Sequence, residues 1–286
     1  MFHQPRFKQP MRTLLVLAAL CGAVREASAH DFWIQPARYA PPPGSLLGVE
    51  LRVGDHGQGE LVARDSERIE RFVLVDGEGE RSIPGREGAN PAGIVRVGDS
   101  GTAVLGFRSH PSYLELAAEP FEQYLREEGL DGVLEERAER GEHERAGRER
   151  YARCAKAIVY TGGEAAGHDR LLGFPLELVP KEHPSKFTLA GGTGTYRLSL
   201  LRDDAPLAGA LVEAISLAEG DAAGAGARKV VATRTDASGV AVFELPGGGR
   251  WLFAAVSMER VEDRSRVDWE SQWASLTVEL ANAPSD

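Results

Sequence analysis

The chain has 286 residues, 33 Lys and Arg against 43 Asp and Glu, and a formal net charge of −10. Hydrophobic residues at 42% and charged residues at 27% give the composition of a folded chain, which excludes a disordered one. The acidic balance offers nothing to phosphate backbones and excludes nucleic acid as a partner, while 33 Gly and 16 Pro imply many turns and favour β architecture.

Residues 1–29 read as a secretory signal. Arg6, Lys8 and Arg12 make a positive start, and Leu14 to Val24 is an apolar run of 11 residues, too short to span a bilayer. Ala27-Ser28-Ala29 then supplies the small residues of a cleavage site. Cys21 follows the bulky Leu20, which argues against a lipid anchor. Cleavage between Ala29 and His30 would deliver a periplasmic or secreted protein with no transmembrane helix. Its removal takes four bases and one acid, leaving 29 against 42. It also leaves a single cysteine, Cys154, which reads as a small buried apolar residue rather than a nucleophile.

From Phe32 to about Leu116 the pattern predicts short antiparallel strands. Leu47–Val53, Ile69–Val75, Ala103–Arg108 and Tyr113–Leu116 alternate apolar and other residues between turn signals such as Pro41-Pro42-Pro43-Gly44 and Asp76-Gly77. Strands at this spacing suggest a β-sandwich. Between Glu119 and Arg153 the character changes: 7 of 35 residues are Arg and 11 are Asp or Glu. Phe121, Tyr124 and Leu125 fall on one face of a first helix ended by Gly129. Leu130, Val133, Leu134 and Ala138 form a second stripe closed by Gly141. This predicts a helical insertion over about 119–145, its charges forming solvated faces or a docking surface. Ala157–Tyr160 returns to strand, and Leu176–Val179 closes a first domain, residues 30–180.

Residues 181–194 read as a linker, with Pro180 to Ser185 and Gly191-Gly192-Thr193-Gly194 as its ends. A second all-β unit follows over 195–286. Its Gly- and Ala-rich Ala222–Ala227 reads as a loop tip, since it lacks the lysine and the Ser or Thr of a phosphate loop. The expected fold class is mainly β, with two β-sandwich domains.

The segments Asp204–Val212, Thr235–Phe243 and Gly249–Ala255 resemble a prealbumin-like or carboxypeptidase-regulatory-like sandwich. Four further motifs occur in order. They are Ala29-His30-Asp31-Phe32-Trp33, Phe121-x-x-Tyr124-Leu125-x-Glu127-Glu128-Gly129-Leu130, Glu149-x-Tyr151-x-Arg153-Cys154-Ala155-Lys156 and Asp268-Trp269-Glu270-Ser271-x-Trp273-Ala274-Ser275-Leu276-Thr277. Together they resemble the exported bacterial family known as domain of unknown function 4198, once labelled nickel-transport-associated. The resemblance implies two Ig-like sandwiches, the first with the helical insertion, and an association with nickel or cobalt uptake systems. This chain departs from the pattern at Ser257, where relatives often carry His.

Cleavage before His30 would put a free α-amine and an imidazole on one residue, a chelating pair suited to Ni(II) or Cu(II). His56 and His110, at strand ends or turns of the same domain, are the candidates for a second imidazole; His143 lies in the charged helical stretch and is expected to be solvated. The bland alternative is that His30 merely follows a cleavage site. Trp269 and Trp273 stand four apart beside carboxylates, either as a sugar-binding pair or as a plug in the core. The leading expectation is a non-catalytic exported protein that handles nickel or copper, with a metal-uptake membrane complex as partner. A structural or adhesion module binding a protein or glycan is the alternative, and a copper oxidase of the histidine-brace type is a third reading.

Overall fold

The computed structural model describes residues 31–217 and 229–282, so His30 and the Ala222–Ala227 loop lie outside the described residues. The chain is mainly β. Its elements are β1 (Asp31–Pro36), β2 (Leu46–Asp55), β3 (Gln58–Val62), β4 (Ile69–Asp76), β5 (Gly79–Ser82), β6 (Gly93–Arg96), β7 (Thr102–Ser109) and β8 (Ser112–Leu116). The helical insertion follows as α1 (Ala118–Glu127) and α2 (Asp131–Glu139), then β9 (Gly147–Tyr160) and β10 (Leu176–Pro180). The remainder comprises β11 (Gly194–Arg202), β12 (Ala205–Pro206), β13 (Leu211–Ser216), β14 (Val230–Arg234), β15 (Val240–Leu245), β16 (Gly249–Arg260) and β17 (Trp269–Leu280).

One nine-stranded sheet runs through the molecule in the order β14-β13-β16-β17-β9-β7-β4-β5, with β8 also paired to β9. Its middle is a parallel pair in which β17 lies along β9 from Trp269 opposite Glu149 to Thr277 opposite Ala157. Two four-stranded sheets cover it. In one, β1, β2 and β3 are joined by β6 on β2; in the other, β10, β11 and β12 are joined by β15 on β11.

The two coverings lie on opposite faces of the central sheet. Leu74, Leu105, Phe107, Ala155 and Ala157 pack with Ile34, Val49 and Leu51 of the first covering sheet. Ile158, Phe253, Leu276 and Val278 pack with Leu178, Leu198 and Phe243 of the second. Successive strand residues point to opposite faces, so Ala157 and Ile158 of β9 each serve a different core. A strand buried on both sides needs no polar face, and the run from Cys154 to Val159 holds Lys156 as its one charge.

Two expectations about organisation change here. Leu176–Pro180 does not close the first sandwich: all five residues are buried, and the strand pairs with β11, from Leu176 opposite Arg202 to Pro180 opposite Leu198. The expected linker, 181–194, is likewise anchored at its middle. His183 and Pro184 are buried, Pro184–Lys186 forms a 3-10 turn, and Phe187 joins the second core.

The insertion covers the face of β16 and β17 left open beside the first covering sheet. Phe121, Tyr124, Leu125, Leu130 and Val133 pack on Val256, Met258 and Trp269. Gly147 permits this close seat, because a Cβ there would fall 2.3 Å from the Phe121 ring. In α2 the stripe differs from the sequence reading: Ala138 is exposed and Arg137 is buried. Arg137 donates to Glu122 at 2.9 Å and to the carbonyls of Glu142 and Arg145 at 2.8 Å, so it caps the turn that follows the helix. No helix among the described residues is long and apolar enough to cross a membrane.

Candidate functional site

His56 occupies the two-residue turn between β2 and β3, with φ +47 there and +70 at Gly57. Positive φ at both central residues is the geometry of a type I′ hairpin turn, and it leaves the His56 side chain exposed. His110 is exposed between β7 and β8, its backbone N–H donating to the Arg68 carbonyl at 2.9 Å. Among the described residues no three His, Cys, Asp or Glu side chains are grouped as a metal ion requires. The residue that follows His30 in the chain is the first that the structure describes.

That residue, Asp31, opens β1 at the seam between the first covering sheet and the helical insertion. Trp33, two residues on and on the same side of the strand, packs against Ile215 and Leu252 of the central sheet, while Ile34 on the other side joins the first core. Across the seam, Glu149 is buried at 1% exposure. Its Oε1 accepts from the Tyr124 hydroxyl at 3.1 Å and from Ser271 Oγ, which in turn accepts from Trp273 Nε1 at 3.2 Å. Its Oε2 has no partner. Tyr124 stacks on Trp273 with ring planes 9° apart, and the Arg153 guanidinium lies 5.5 Å from the Phe32 and Tyr151 rings and 5.6 Å from Trp273.

The charges are out of balance. Burial, with Glu213 alongside, pushes the Asp31 carboxyl up to about 7 against the opposing Arg153 and His56. Burial, then Asp31 and Glu213, holds Glu128 well above the usual carboxylate range. Burial raises Glu149 as well, against the hydrogen bonds it accepts.

Residues from all four motifs thus meet at one place: Asp31 and Phe32, Tyr124 and Glu128, Glu149, Tyr151 and Arg153, and Ser271 and Trp273. Residues 149, 151 and 153 alternate onto one face of β9, and 269, 271 and 273 onto the same face of β17.

A model of the family described as Domain of unknown function (DUF4198) matches residues 27–259. The chain belongs to the DUF4198 family. The match takes in the first three motifs and ends before β17, although β17 pairs with β9 throughout the site. No curated protein matches the chain. Ser257 lies on the opposite face of β16 from Val256 and Met258, where it accepts from Arg202 at 2.7 Å. The motif cluster is on the other side of the sheet.

Trp269 is 1% exposed beneath the Arg260 guanidinium, 4.4 Å from the ring centre, and presents no open face to a sugar. Trp273 is half-buried against Tyr124. The pair is the floor on which the insertion rests.

A contact between buried His183 and half-buried His168 escaped the sequence reading. His183 Nδ1 accepts from the Ser185 N–H at 3.1 Å, so Nε2 carries the proton and donates to Thr102 Oγ1 at 3.0 Å. The His168 ring meets it edge-on at 5.5 Å. Burial, then His168, pushes His183 down to about 4. These bonds are structural: they fasten the connection between β10 and β11 to the start of β7. Cys154 is buried and its thiol is pushed up to about 12, which suits packing and not nucleophilic chemistry.

Proposed function

We propose that the chain is an exported, non-catalytic binding protein. Its mature N-terminus, His30, holds nickel or copper through the α-amine and the imidazole, in the service of a metal-uptake complex in the membrane. The observation that carries this reading is the convergence of the four family motifs on the seam where residue 31 enters the fold. A seam at which Asp31 lies near half-buried Glu128 and buried Glu149 is one that a cation bound at residue 30 would complete. Amine and imidazole donors favour Cu(II) and Ni(II) over magnesium or calcium.

The test is a calorimetric titration of Ni(II) and Cu(II) into protein beginning at His30, beside protein beginning at Ala29. Tight one-to-one binding in the first, lost in the second, is the expected outcome. Equal weak binding in both removes the reading.

A second reading is a structural or adhesion module. It draws on Leu46, Leu61 and Ile94, which stand exposed on the outer face of the first covering sheet. It predicts a stable protein partner in pull-downs that is lost when Leu46 and Ile94 become Ser, with no stoichiometric metal.

A further inference from the structure

β13 runs beside β16 for only part of its length. The two pair from Glu213 opposite Ala254 to Ser216 opposite Trp251, so Leu211 and the residues ahead of it part from residues 256–260 of β16. They lean instead on the turn between α1 and α2: a Cβ on Gly129 would lie 2.8 Å from Leu211 Cβ. Arg234 fastens these two lips, donating to the Gly129 carbonyl at 3.2 Å, the Gly209 carbonyl at 2.8 Å and Asp131 at 2.6 Å. Within them is a cavity of about 430 Å³, in the size range of small-molecule sites. Leu130, Val133, Leu207, Leu211 and Met258 give it apolar walls.

The polar groups of this cavity are short of acceptors. Its carboxylates are engaged: Asp131 by Arg234, Glu136 by Arg140 at 3.0 Å and Glu259 by Arg202 at 3.0 Å. Arg260 directs Nε to Glu136 and Nη2 to Glu142 at 2.7 Å, but its buried Nη1 has no partner among the described residues. Trp269 is 1% exposed, and its Nε1 has none either. An indole N–H and a guanidinium can only donate, and burying two such donors without an acceptor is unfavourable. The Arg260 guanidinium lies 4.4 Å from the Trp269 ring centre, which sets the two donor groups side by side. Trp269 also borders a cleft walled by Arg148, Arg264 and Asp268, but Arg260 does not, so this cavity is the place the two share.

We propose that the cavity binds a small aliphatic carboxylate, which accepts from Arg260 Nη1 and Trp269 Nε1 while its chain lies on the apolar walls. A carboxylate is a stronger acceptor than the hydroxyl of an alcohol, and it forms a charge-assisted bond to the guanidinium. An amine of the same length would bring donors to donors and is excluded. The site involves neither His30 nor a metal, so it stands apart from the reading of the N-terminus.

The test titrates octanoate into the mature chain by calorimetry, with octanol and octylamine as probes of the same length. Octanoate is expected to bind one-to-one, octanol about tenfold more weakly and octylamine not at all. Trp269→Phe keeps a ring and removes the N–H, so it should weaken octanoate and leave octanol unchanged. Ala208→Trp, on the exposed lip, fills the cavity without removing a packed side chain. It should abolish binding of both probes at an unchanged melting temperature. Equal affinity for octanoate and octanol overturns the proposal, as does octanoate binding that persists in Ala208→Trp or is absent from the parent. Should Trp269→Phe fail to fold, the octanol comparison and Ala208→Trp still decide.

Discussion

His183 shows how one buried side chain sets the response of the whole fold to acid. In the unfolded chain its ring takes a proton below about 6.5. Folded, it resists until about 4, because burial and the neighbouring His168 disfavour the charge. A base whose folded value lies below its unfolded one contributes stability that is complete above about 6.5. That contribution is lost as the pH falls, and the loss ends near the folded value. The span corresponds to about 3 kcal/mol. His183→Gln should cost roughly 1–3 kcal/mol at pH 7 through its lost bonds to Thr102 and Ser185. It should also lose less stability than the parent between pH 7 and 4. Chemical denaturation across that range gives both profiles; parallel profiles would falsify the account. Cys154 gives a simpler expectation. Its thiol should alkylate only when the chain opens, so native labelling should follow the unfolding rate, and rapid labelling of the folded protein would contradict its burial. The sequence reading reached Cys154 through its compartment and its solitude. His183 was missed, as nothing beside it names Thr102 as a partner 81 residues away.

At the scale of an element, the insertion was legible where its pattern is periodic and illegible where a charge is buried. Phe121, Tyr124 and Leu125 of α1 face inward as their helical spacing demands. In α2, Arg137 turns in because Glu122 and two carbonyls await it, and those partners come from other segments. Two glycines test the seating. Gly147 lies under the Phe121 ring, so Gly147→Ala must lift α1 from the sheet, at a cost of about 1–3 kcal/mol. Gly132 sits exposed in α2 with nothing within 4 Å of a new Cβ. Gly132→Ala should stabilise by about 0.4–1 kcal/mol through reduced freedom of the unfolded chain. Urea midpoints that move in the same direction for both would show that the insertion is not packed as described. The candidate site was half legible in the same sense. The motifs carried Asp31, Glu128 and Glu149 without revealing that they meet, and Glu213 lay outside every motif because its place comes from β13 alone.

For the molecule as a whole, strand patterns indicated two β-sandwiches, and what they could not convey is that both are built on one sheet. Period-two alternation identifies a strand and its buried face but not its neighbour, and the parallel partners β9 and β17 are about 120 residues apart. Their pairing has a thermodynamic consequence. If the two halves were independent units on a linker, they would unfold separately and each would survive alone. Here, loss of β17 would strip β9 of nine paired positions and uncover the apolar face of the insertion, which rests on Val256, Met258 and Trp269. The stability of each half therefore includes contacts made by the other. The mature chain should unfold in one calorimetric transition, with calorimetric and van't Hoff enthalpies in agreement. A fragment of residues 30–193 should aggregate, since it exposes both an unpaired interior strand and the underside of α1. Two resolved transitions, or a soluble fragment with the near-ultraviolet signature of packed Tyr124, would show that the central sheet does not bind the halves into one cooperative unit.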